Sequence, residues 1–356
     1  MPRLTAGGPH YYALRPDSTV GGEVYERELL SRLPAHGVDL ELGLPRDHRV
    51  ADPPPGWHVT PLREPFGVHW TRAPLAFTPY VVRLLRAGRA DLLRGHSVRH
   101  TGPALLLGRA LTRSRVPIVL HHHHLYPRWA RLEAAIARRA DAVVTVSEHS
   151  RRELAAAGVP DERIHVIREG IATPPATEGW PDAWPGPGLR LLHLGRLEPR
   201  KRPDLAIDAL RRSGVEASLV VAGEGPQDEL ATRAGGAPVR FAGRVSEADK
   251  WRLYDSADVL LFGSTLEGFG LVVAEAQSRG VPVIAAAGTA TAEALDPGAS
   301  GLLVAPEADA FAAAVRELAD DERRAAMSAR AREFARRFDW DACAAGVADL
   351  YRGLVR

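Results

Sequence analysis

Two glutamates, Glu267 and Glu275, stand on either side of an apolar stretch in the segment TLEGFGLVVAEAQSRGVPVI (265–284). Gly268 and Gly270 let the backbone approach a ligand closely, and the helix start that follows offers free N–H groups and a positive dipole end to an anion. This corner suits a phosphate. Glu275, further along the same helix, could accept two hydrogen bonds from a vicinal diol such as a ribose. The competing interpretation is an ordinary strand-to-helix corner with one capping glutamate and one exposed glutamate.

A basic loop occupies an equivalent corner in HLGRLEPRKRPDLAI (193–207). Arg196 can bind a diphosphate as a bidentate fork and Lys201 as a point charge, and both would stabilise charge on a departing diphosphate. A solvated basic turn is the alternative. Only Lys201 and Lys250 are lysine among the 46 Lys and Arg residues, so we consider a chemical role for each. For Lys250 the sequence favours a solvated surface position.

The elements that must position these side chains are short apolar strands alternating with helical patterns. This alternation is typical of βα units around a parallel sheet. Strands are expected in both halves, at 10–14, 38–44, 57–62, 91–97, 117–123, 142–147, 164–169, 189–195, 217–223, 239–243, 257–263, 281–286 and 301–305. We therefore predict an α/β protein with two Rossmann-like, doubly wound parallel-sheet domains that face a central cleft, where such folds bind ligands.

The domain boundary is predicted in a Pro- and Gly-rich segment without apolar periodicity, residues 172–188. Residues 1–171 then form the N-terminal domain, and 189–356 the C-terminal domain that carries the two corners. The alanine- and arginine-rich tail from 307 onward is expected to form packing helices, which could cross back to the N-terminal domain. A length of 356 residues agrees with two domains.

Composition narrows the class of protein. A formal net charge of +2 does not indicate a nucleic-acid partner. The lone Cys343 cannot form an internal disulfide, and neither a signal peptide nor a membrane-spanning run is expected, which favours a cytoplasmic protein.

The segment WARLEAAIARRA (129–140) is a basic amphipathic helix. It could contact anionic lipid, although packing of one helix face on the sheet is the favoured explanation.

Four consecutive histidines, His121 to His124, follow a predicted strand. A metal site, a row of alternating histidines, or one functional histidine with bystanders would each explain them. Successive strand residues point to opposite faces, so all four cannot converge on one ion.

The motifs GRLEPRK, VVAGEGP, FAGRVSEADKWRLYDSADVLL and the Glu267-to-Glu275 segment followed by GVPVIA occur in one order across 189–305. In that order and spacing they resemble the retaining, nucleotide-sugar-dependent glycosyltransferases of the GT-B fold, family 4 (glycosyl transferases group 1). The resemblance implies that Arg196 and Lys201 hold the donor diphosphate and that Glu267 contacts the sugar hydroxyls. It further implies that Glu275 contacts the ribose. The backbone of Gly268, Phe269, Gly270 and Leu271 would contact the phosphates, and the backbone around Val245 would contact the base.

The N-terminal half is similar to the same family at lower specificity. The resemblance places Gly21 and Gly22 beside the donor phosphate and makes His123 the active-site histidine, with His122 and His124 as alternatives one residue to either side. The chain departs from the family pattern at GTATAEAL (288–295), where a glycine pair is usual, and at Glu169, where an asparagine is usual.

The expected function is metal-independent transfer of a sugar from a nucleoside diphosphate sugar to an acceptor hydroxyl with retained anomeric configuration. A UDP-sugar is favoured, a GDP-sugar is next, and the acceptor is a small molecule, a saccharide or a lipid-linked compound. No further cofactor is expected, since no DxD-type carboxylate pair lies near the donor corner. His123, Glu267, Arg196 and Lys201 are the candidate catalytic residues.

Alternatives are a GT-B sugar phosphorylase or sugar-phosphate synthase, and a non-catalytic sugar-nucleotide binding protein. A nicotinamide-dependent dehydrogenase is disfavoured because GEGPQD carries Asp228 where the third glycine of a dinucleotide motif belongs.

Overall fold

The computed structural model describes residues 3–10, 21–46, 50, 52–63, 74–123 and 127–356. Its internal contacts divide the chain into two units, Met1–Gly170 with Asp339–Arg356, and Ile171–Phe338. Each unit is built on one wholly parallel sheet whose strands are joined by helical crossovers, which confirms the predicted α/β class and the two doubly wound sheets. The resemblance to the glycosyltransferase family also implies an acceptor side in 1–171 and a donor side in 189–356, and this assignment stays a prediction.

The first unit contains a sheet of seven strands in the order β3-β2-β1-β4-β5-β6-β7. In chain order the elements are β1 Leu4–Pro9, α1 Gly21–Arg32, β2 Val38–Pro45, β3 Trp57–Leu62, α2 Thr78–Arg86, β4 Leu92–His96, α3 Val98–Thr112, β5 Ile118–His122, α4 Ala130–Ala137, β6 Ala142–Thr145, α5 Glu148–Ala156 and β7 Ile164–Val166. The order reverses between β1 and β4, which makes the carboxyl ends of these two strands the switch point of the sheet.

Strand β1 lies six residues before the predicted strand at 10–14, whose residues 11–14 fall outside the described residues. The sequence LTAGGP conceals this strand because glycine and proline disfavour strands. The glycines are required by packing, since a Cβ on Gly8 would lie 1.9 Å from the carbonyl oxygen of Arg94 in β4.

The second unit contains six strands in the order β10-β9-β8-β11-β12-β13, which reverses between β8 and β11. Its elements are β8 Leu189–Leu194, α6 Pro203–Ser213, β9 Ala217–Ala222, α7 Asp228–Ala234, β10 Val239–Gly243, α8 Glu247–Ser256, β11 Val259–Phe262, α9 Leu271–Ser278, β12 Val283–Ala286, β13 Gly301–Val304, α10 Ala308–Glu317 and α11 Asp321–Ala335. The apolar residues of β9, β11 and β12 are buried, as expected for a parallel sheet covered by helices, whereas those of the edge strands β10 and β13 are mostly half-buried.

The predicted linker, 172–188, lies within the second unit and is packed on it. The Trp184 indole N–H donates to the carbonyl of Leu191 at 3.1 Å, and Thr177 is held by the carboxylate of Asp255. A short 3₁₀ turn, Pro181–Ala183, precedes the tryptophan. A linker role for this segment stays a prediction, and Trp184 holds the segment to strand β8 of the sheet.

The last helix, α12 (Trp340–Val355), belongs to the first unit and packs against α1. It begins at Asp339, whose carboxylate accepts a hydrogen bond from the N–H of Ala342 at 2.8 Å. Cys343 and Tyr351 are buried on its inner face. Burial raises the pKa of Cys343 to about 12, so this thiol is a packing group.

Candidate functional site in the second unit and the polar core of the first

Two loops follow the switch-point strands of the second unit, one after β8 and one after β11. Several contacts join them. Thr265 donates its backbone N–H to the carbonyl of Arg200 at 2.9 Å, the Arg200 guanidinium donates to the carbonyl of Leu266 at 3.2 Å, and Lys201 Nζ lies 2.5 Å from Glu267 Oε1. The structure thus brings together Lys201 and Glu267, which the sequence placed in separate motifs.

The Lys201 and Glu267 side chains are 16% and 12% exposed, so their charges are partly desolvated but still reachable by a ligand. An ion pair in such surroundings interacts more strongly than one in bulk water. An anion that bound here would take over the ammonium as its partner. The carboxylate would then be free to accept hydrogen bonds from hydroxyl groups of the same ligand.

Arg196 lies on the same loop but turns to a different partner, Glu198, with its Nη1 2.5 Å from Oε1. Its side chain is 58% exposed. It is therefore a solvated cation on the same loop as Lys201, and the structure does not bring it into contact with Glu267. A surface pair of this kind costs about 1 kcal/mol or less to break, so a ligand can recruit the guanidinium.

A close approach of neighbouring loops shapes the same corner. The N–H of Leu197 donates to the carbonyl of Glu224 at 2.7 Å. A Cβ on Gly223, whose φ is +151°, would lie 1.8 Å from the carbonyl oxygen of Gly195. This clash explains why the motif VVAGEGP needs its glycine.

The glycine corner after β11 ends at Gly270, which has a φ of +106° and immediately precedes α9. Gly268 lies in the turn before it, Phe269 is buried with its ring centroid 5.0 Å from that of Phe338, and Leu271 is the first residue of α9. The phenylalanine anchors the corner in the core, so the backbone N–H groups around it are held in place.

Glu275 is buried in α9, and both of its carboxylate oxygens already have protein partners. Lys250 Nζ lies 2.9 Å from Oε1, and the Tyr254 hydroxyl donates to Oε2 at 3.0 Å. Lys250 also lies 2.9 Å from Glu247. The expectation of a solvated Lys250 was wrong, because its side chain is only 13% exposed. The signal was available in the sequence, since Lys250 and Tyr254 are four residues apart and share one face of α8.

Val245, the residue expected to meet a base through its backbone, is half-buried between β10 and α8. The next residue, Ser246, caps α8 by accepting a hydrogen bond from the N–H of Asp249 at 3.1 Å. The cap sets the direction in which α8 leaves the sheet, and with it the position of Lys250.

The candidates of the first unit lie near the carboxyl ends of its strands. Gly21 and Gly22 open α1. His123 follows β5 directly, and its Nδ1 lies 3.7 Å from a carboxylate oxygen of the buried Glu169. His122 is buried, and His124 lies outside the described residues.

A buried ion pair at the switch point of the first unit was not foreseen from the sequence. Arg94, in β4, donates two hydrogen bonds to the carboxylate of Glu26, at 2.6 and 2.7 Å, and both side chains are inaccessible to solvent. His96 Nδ1 lies 2.8 Å from Glu26, and His10 Nε2 lies 2.8 Å from the Arg94 guanidinium. This set of four side chains is called the Arg94 cluster below.

The Arg94 cluster extends to α12. The Arg94 Nε donates to the Tyr351 hydroxyl at 3.2 Å, and that hydroxyl lies 2.8 Å from His121 Nε2. His121 Nδ1 in turn lies 2.9 Å from the hydroxyl of Tyr25. The first histidine of the tract is thus a structural residue bound on both ring nitrogens.

Burial and charge act in opposite directions within the cluster. Burial alone would raise the pKa of Glu26, but Arg94, His96 and His10 outweigh it, and the pKa lies well below its usual range. Burial lowers the pKa of His10 to about 3, and burial with the nearby Arg94 charge lowers that of His121 well below its usual value. The cluster therefore holds one ion pair and neutral histidines at neutral pH.

Among the described residues, no three His, Cys, Asp or Glu side chains are grouped as a metal ion would need. The helix α4 buries one face, through residues that include Ala134 and Ile136, and exposes Trp129 and Leu132. No helix among the described residues has the length and apolar character of a membrane span.

Two family models match successive parts of the chain. "Glycosyltransferase Family 4" matches residues 20–173, and "Glycosyl transferases group 1" matches residues 180–336. The second match contains the joined loops and the Lys250–Glu275 pair. The first contains most of the Arg94 cluster.

Individual relatives agree with these families. A D-inositol 3-phosphate glycosyltransferase of Xylanimonas cellulosilytica is 34% identical over 62% of this chain and 58% of its own length. A glycogen synthase of Mycobacterium tuberculosis is 31% identical over 76% of this chain and 70% of its own length. The first match thus spans little more than half of the relative.

The fold is also that of solved structures. The Anabaena protein HepE, crystallised in complex with UDP and glucose, superposes with a TM-score of 0.74 over 99% of this chain and 100% of its own. The sequence identity is 22%, so this likeness concerns the fold.

Proposed function

The chain belongs to the family 4, group 1 glycosyltransferases, and on that premise we propose that it transfers a sugar from a nucleoside diphosphate sugar to an acceptor hydroxyl. The observation that carries this proposal is the pairing of Lys201 with Glu267 across the switch point of the second sheet. The pair offers a cation for a diphosphate and a carboxylate for sugar hydroxyls at one place.

In the reaction the bond between the anomeric carbon and the diphosphate oxygen breaks, and its electron pair leaves with the diphosphate. Lys201, Arg196 and the N–H groups from Gly268 to Leu271 stabilise the charge that develops there. The acceptor oxygen bonds to the same face of the anomeric carbon and passes its proton to the departing phosphate oxygen, so the configuration is retained. Positive side chains supply the neutralisation, and the proposed reaction needs no metal ion.

Glu267 orients the sugar through its hydroxyls, and Glu275 accepts hydrogen bonds from the ribose. The backbone at Val245 meets the base. Gly21, Gly22 and His123 stay predicted contributors from the first unit.

A UDP-sugar is the favoured donor because the structural relative HepE is described in complex with UDP and glucose, and a GDP-sugar is the second choice. The acceptor class stays open. The relatives named above act on different compounds, and acceptor selectivity depends on loops that vary freely on one scaffold.

The test starts from donor turnover without an added acceptor, because water can replace the acceptor. UDP-glucose and GDP-mannose are incubated with the wild type, Lys201→Met and Glu267→Gln, and the released nucleoside diphosphate is quantified. We expect slow release from one donor and a loss of 100-fold or more in both variants, in the range found when a charge-stabilising group is removed.

A panel of saccharide, small-molecule and lipid-linked acceptors follows, with the anomeric configuration of the product determined by NMR. Inversion would overturn the retaining mechanism. Failure to bind or release any nucleoside diphosphate would overturn the proposed function.

A further inference from the structure

Lys250 is one of the two lysines of the chain. Each lysine pairs with a glutamate, Lys201 with Glu267 and Lys250 with Glu275. Every other cation in a set of 46 is an arginine. Lys201 meets Glu267 in the loops, whereas Lys250 reaches from α8 to Glu275 in α9. The two pairs lie in one unit but on different elements, so they act on different parts of a ligand.

The contacts of Glu275 leave it fixed but not saturated. Lys250 binds Oε1 and Tyr254 binds Oε2, one donor to each oxygen. An ionised carboxylate offers about four lone-pair positions, so two remain for a ligand. Two hydroxyl groups on neighbouring carbons match that remainder, one to each oxygen.

The partners of Glu275 are buried and stay in their donating forms. Burial alone would lower the pKa of Lys250, but Glu275 and Glu247 outweigh it and the pKa is raised, so the side chain is an ammonium. Burial, with Glu275 adding to it, raises the pKa of Tyr254 well above its usual value, so the phenol keeps its proton. Removal of either donor would leave a buried carboxylate with an unfilled hydrogen-bonding position.

We propose that Lys250 and Tyr254 are positioning residues for nucleotide recognition, which hold the Glu275 carboxylate oriented so that it selects a ribose over a deoxyribose. This inference rests on the proposed function, because it concerns the same nucleotide. It adds to that function two residues, Lys250 and Tyr254, that set the selectivity for the sugar of the nucleotide. Neither of them contacts the diphosphate.

The experiment measures dissociation constants by titration calorimetry for UDP and GDP and for their 2′-deoxy and 3′-deoxy forms. The wild type is expected to prefer the ribonucleotide about tenfold, the value of one hydrogen bond of about 1.4 kcal/mol. Lys250→Met keeps the methylene stem and removes the ammonium. We expect it to bind the ribonucleotide about tenfold more weakly and to lose the preference.

Three further variants separate positioning from general damage. Lys201→Met is the matched control, since it removes the other lysine of a lysine–glutamate pair. It should weaken all the nucleotides alike and keep the ribose preference. Lys250→Arg restores a cation beside Glu275 and should return the preference to within about threefold of wild type. Tyr254→Phe retains the buried ring and should lower the preference as Lys250→Met does, which tests the proposal even where the methionine variant does not fold.

An unchanged ribose preference in folded Lys250→Met or in Tyr254→Phe overturns the inference while the proposed function stands. A wild type that binds none of the nucleoside diphosphates overturns the proposed function and this inference with it.

Discussion

The switch points of the two sheets both carry charged side chains, but these side chains differ in burial and in the number of their contacts. In the first unit, Arg94 and Glu26 are wholly buried and bonded to each other and to two histidines. In the second, Lys201 and Glu267 keep a partial exposure and are joined by a single contact. The charges at the two switch points therefore differ in their access to solvent. One set is locked into the core, and the other, on the proposed function, exchanges its partner for a ligand.

Physical chemistry gives this difference a clear signature. Removing one member of a buried ion pair leaves an uncompensated charge and destabilises the fold, whereas breaking a partly exposed pair costs little stability. Variants of the Arg94 cluster should change unfolding, and variants of the lysine–glutamate pairs should change binding. The predictions below test that separation.

The largest effect is expected for Glu26→Gln, which leaves the Arg94 guanidinium buried without its carboxylate. The first unit should lose about 3–5 kcal/mol, read from hydrogen exchange of the β4 amides. Glu28→Gln is the matched control, since Glu28 forms a part-exposed pair with Arg32 at 2.8 Å on the same helix, and it should cost about 1 kcal/mol or less.

The same variant has a pH signature. The pKa of Glu26 is depressed in the fold, so its contribution is present above the unfolded-state pKa of about 4.3 and is lost as the pH falls below that value. Glu26→Gln should flatten the acid limb of the stability curve. Equal losses for Glu26→Gln and Glu28→Gln would break the comparison.

Lys201→Met should have the next largest effect, and on binding alone. Loss of a charge-assisted contact to a diphosphate predicts UDP or GDP affinity weaker by about 10–100-fold, or about 1.4–2.8 kcal/mol. The melting temperature without ligand should move by only a few degrees. A variant that binds the diphosphate normally would show that this pair is structural, like the Arg94 cluster.

A pair of tyrosine variants provides a smaller and more selective test. Tyr351→Phe removes the hydroxyl that accepts from Arg94 and contacts His121, and should cost about 1–2 kcal/mol of stability without changing nucleotide affinity. Tyr254→Phe should instead affect nucleotide affinity more than stability, with weaker binding of ribonucleotides. Both are followed by thermal melting with and without UDP. Exchange of the two outcomes would reverse the assignment of the regions.

The smallest effect concerns His193, buried in β8 with its Nδ1 3.2 Å from the carbonyl of Leu261. Burial, with Lys201 adding to it, lowers its pKa to about 4. The unfolded chain takes up a proton below about pH 6.5 and the fold does not, so His193 lowers stability as the pH falls from 7 to 5.5, by about 1 kcal/mol. His193→Gln should reduce the measured loss by that amount. An identical pH dependence in both proteins would contradict the assignment.

Several features of the second unit were predictable because each depends on local sequence. Glycines in the corners and strands of uniform apolar character identify the parallel sheets directly. Arg196, Lys201 and Glu267 could be placed in two loops, and the parallel order of strands predicts that loops at one sheet edge meet. The direct contact between Lys201 and Glu267 depends on the register of the two strands, which a sequence motif does not specify.

The Arg94 cluster was missed for a physical reason. Its residues come from three distant segments, and a charged residue inside a strand is expected at the surface unless a partner is known. His10 and Glu26 precede Arg94, while Tyr351 comes from the end of the described chain. Single-residue signals identify candidates, but mutual satisfaction of buried groups depends on the tertiary structure.

The return of α12 to the first unit has a consequence for how the molecule is made. During synthesis, every residue of the second unit leaves the ribosome before Tyr351 does, so the second unit can close its core first. The first unit cannot complete its core until the Tyr351 hydroxyl reaches Arg94 and His121. To do so it must close a chain loop that contains all residues of the second unit. The unit that starts first on the ribosome is therefore the one that finishes folding last.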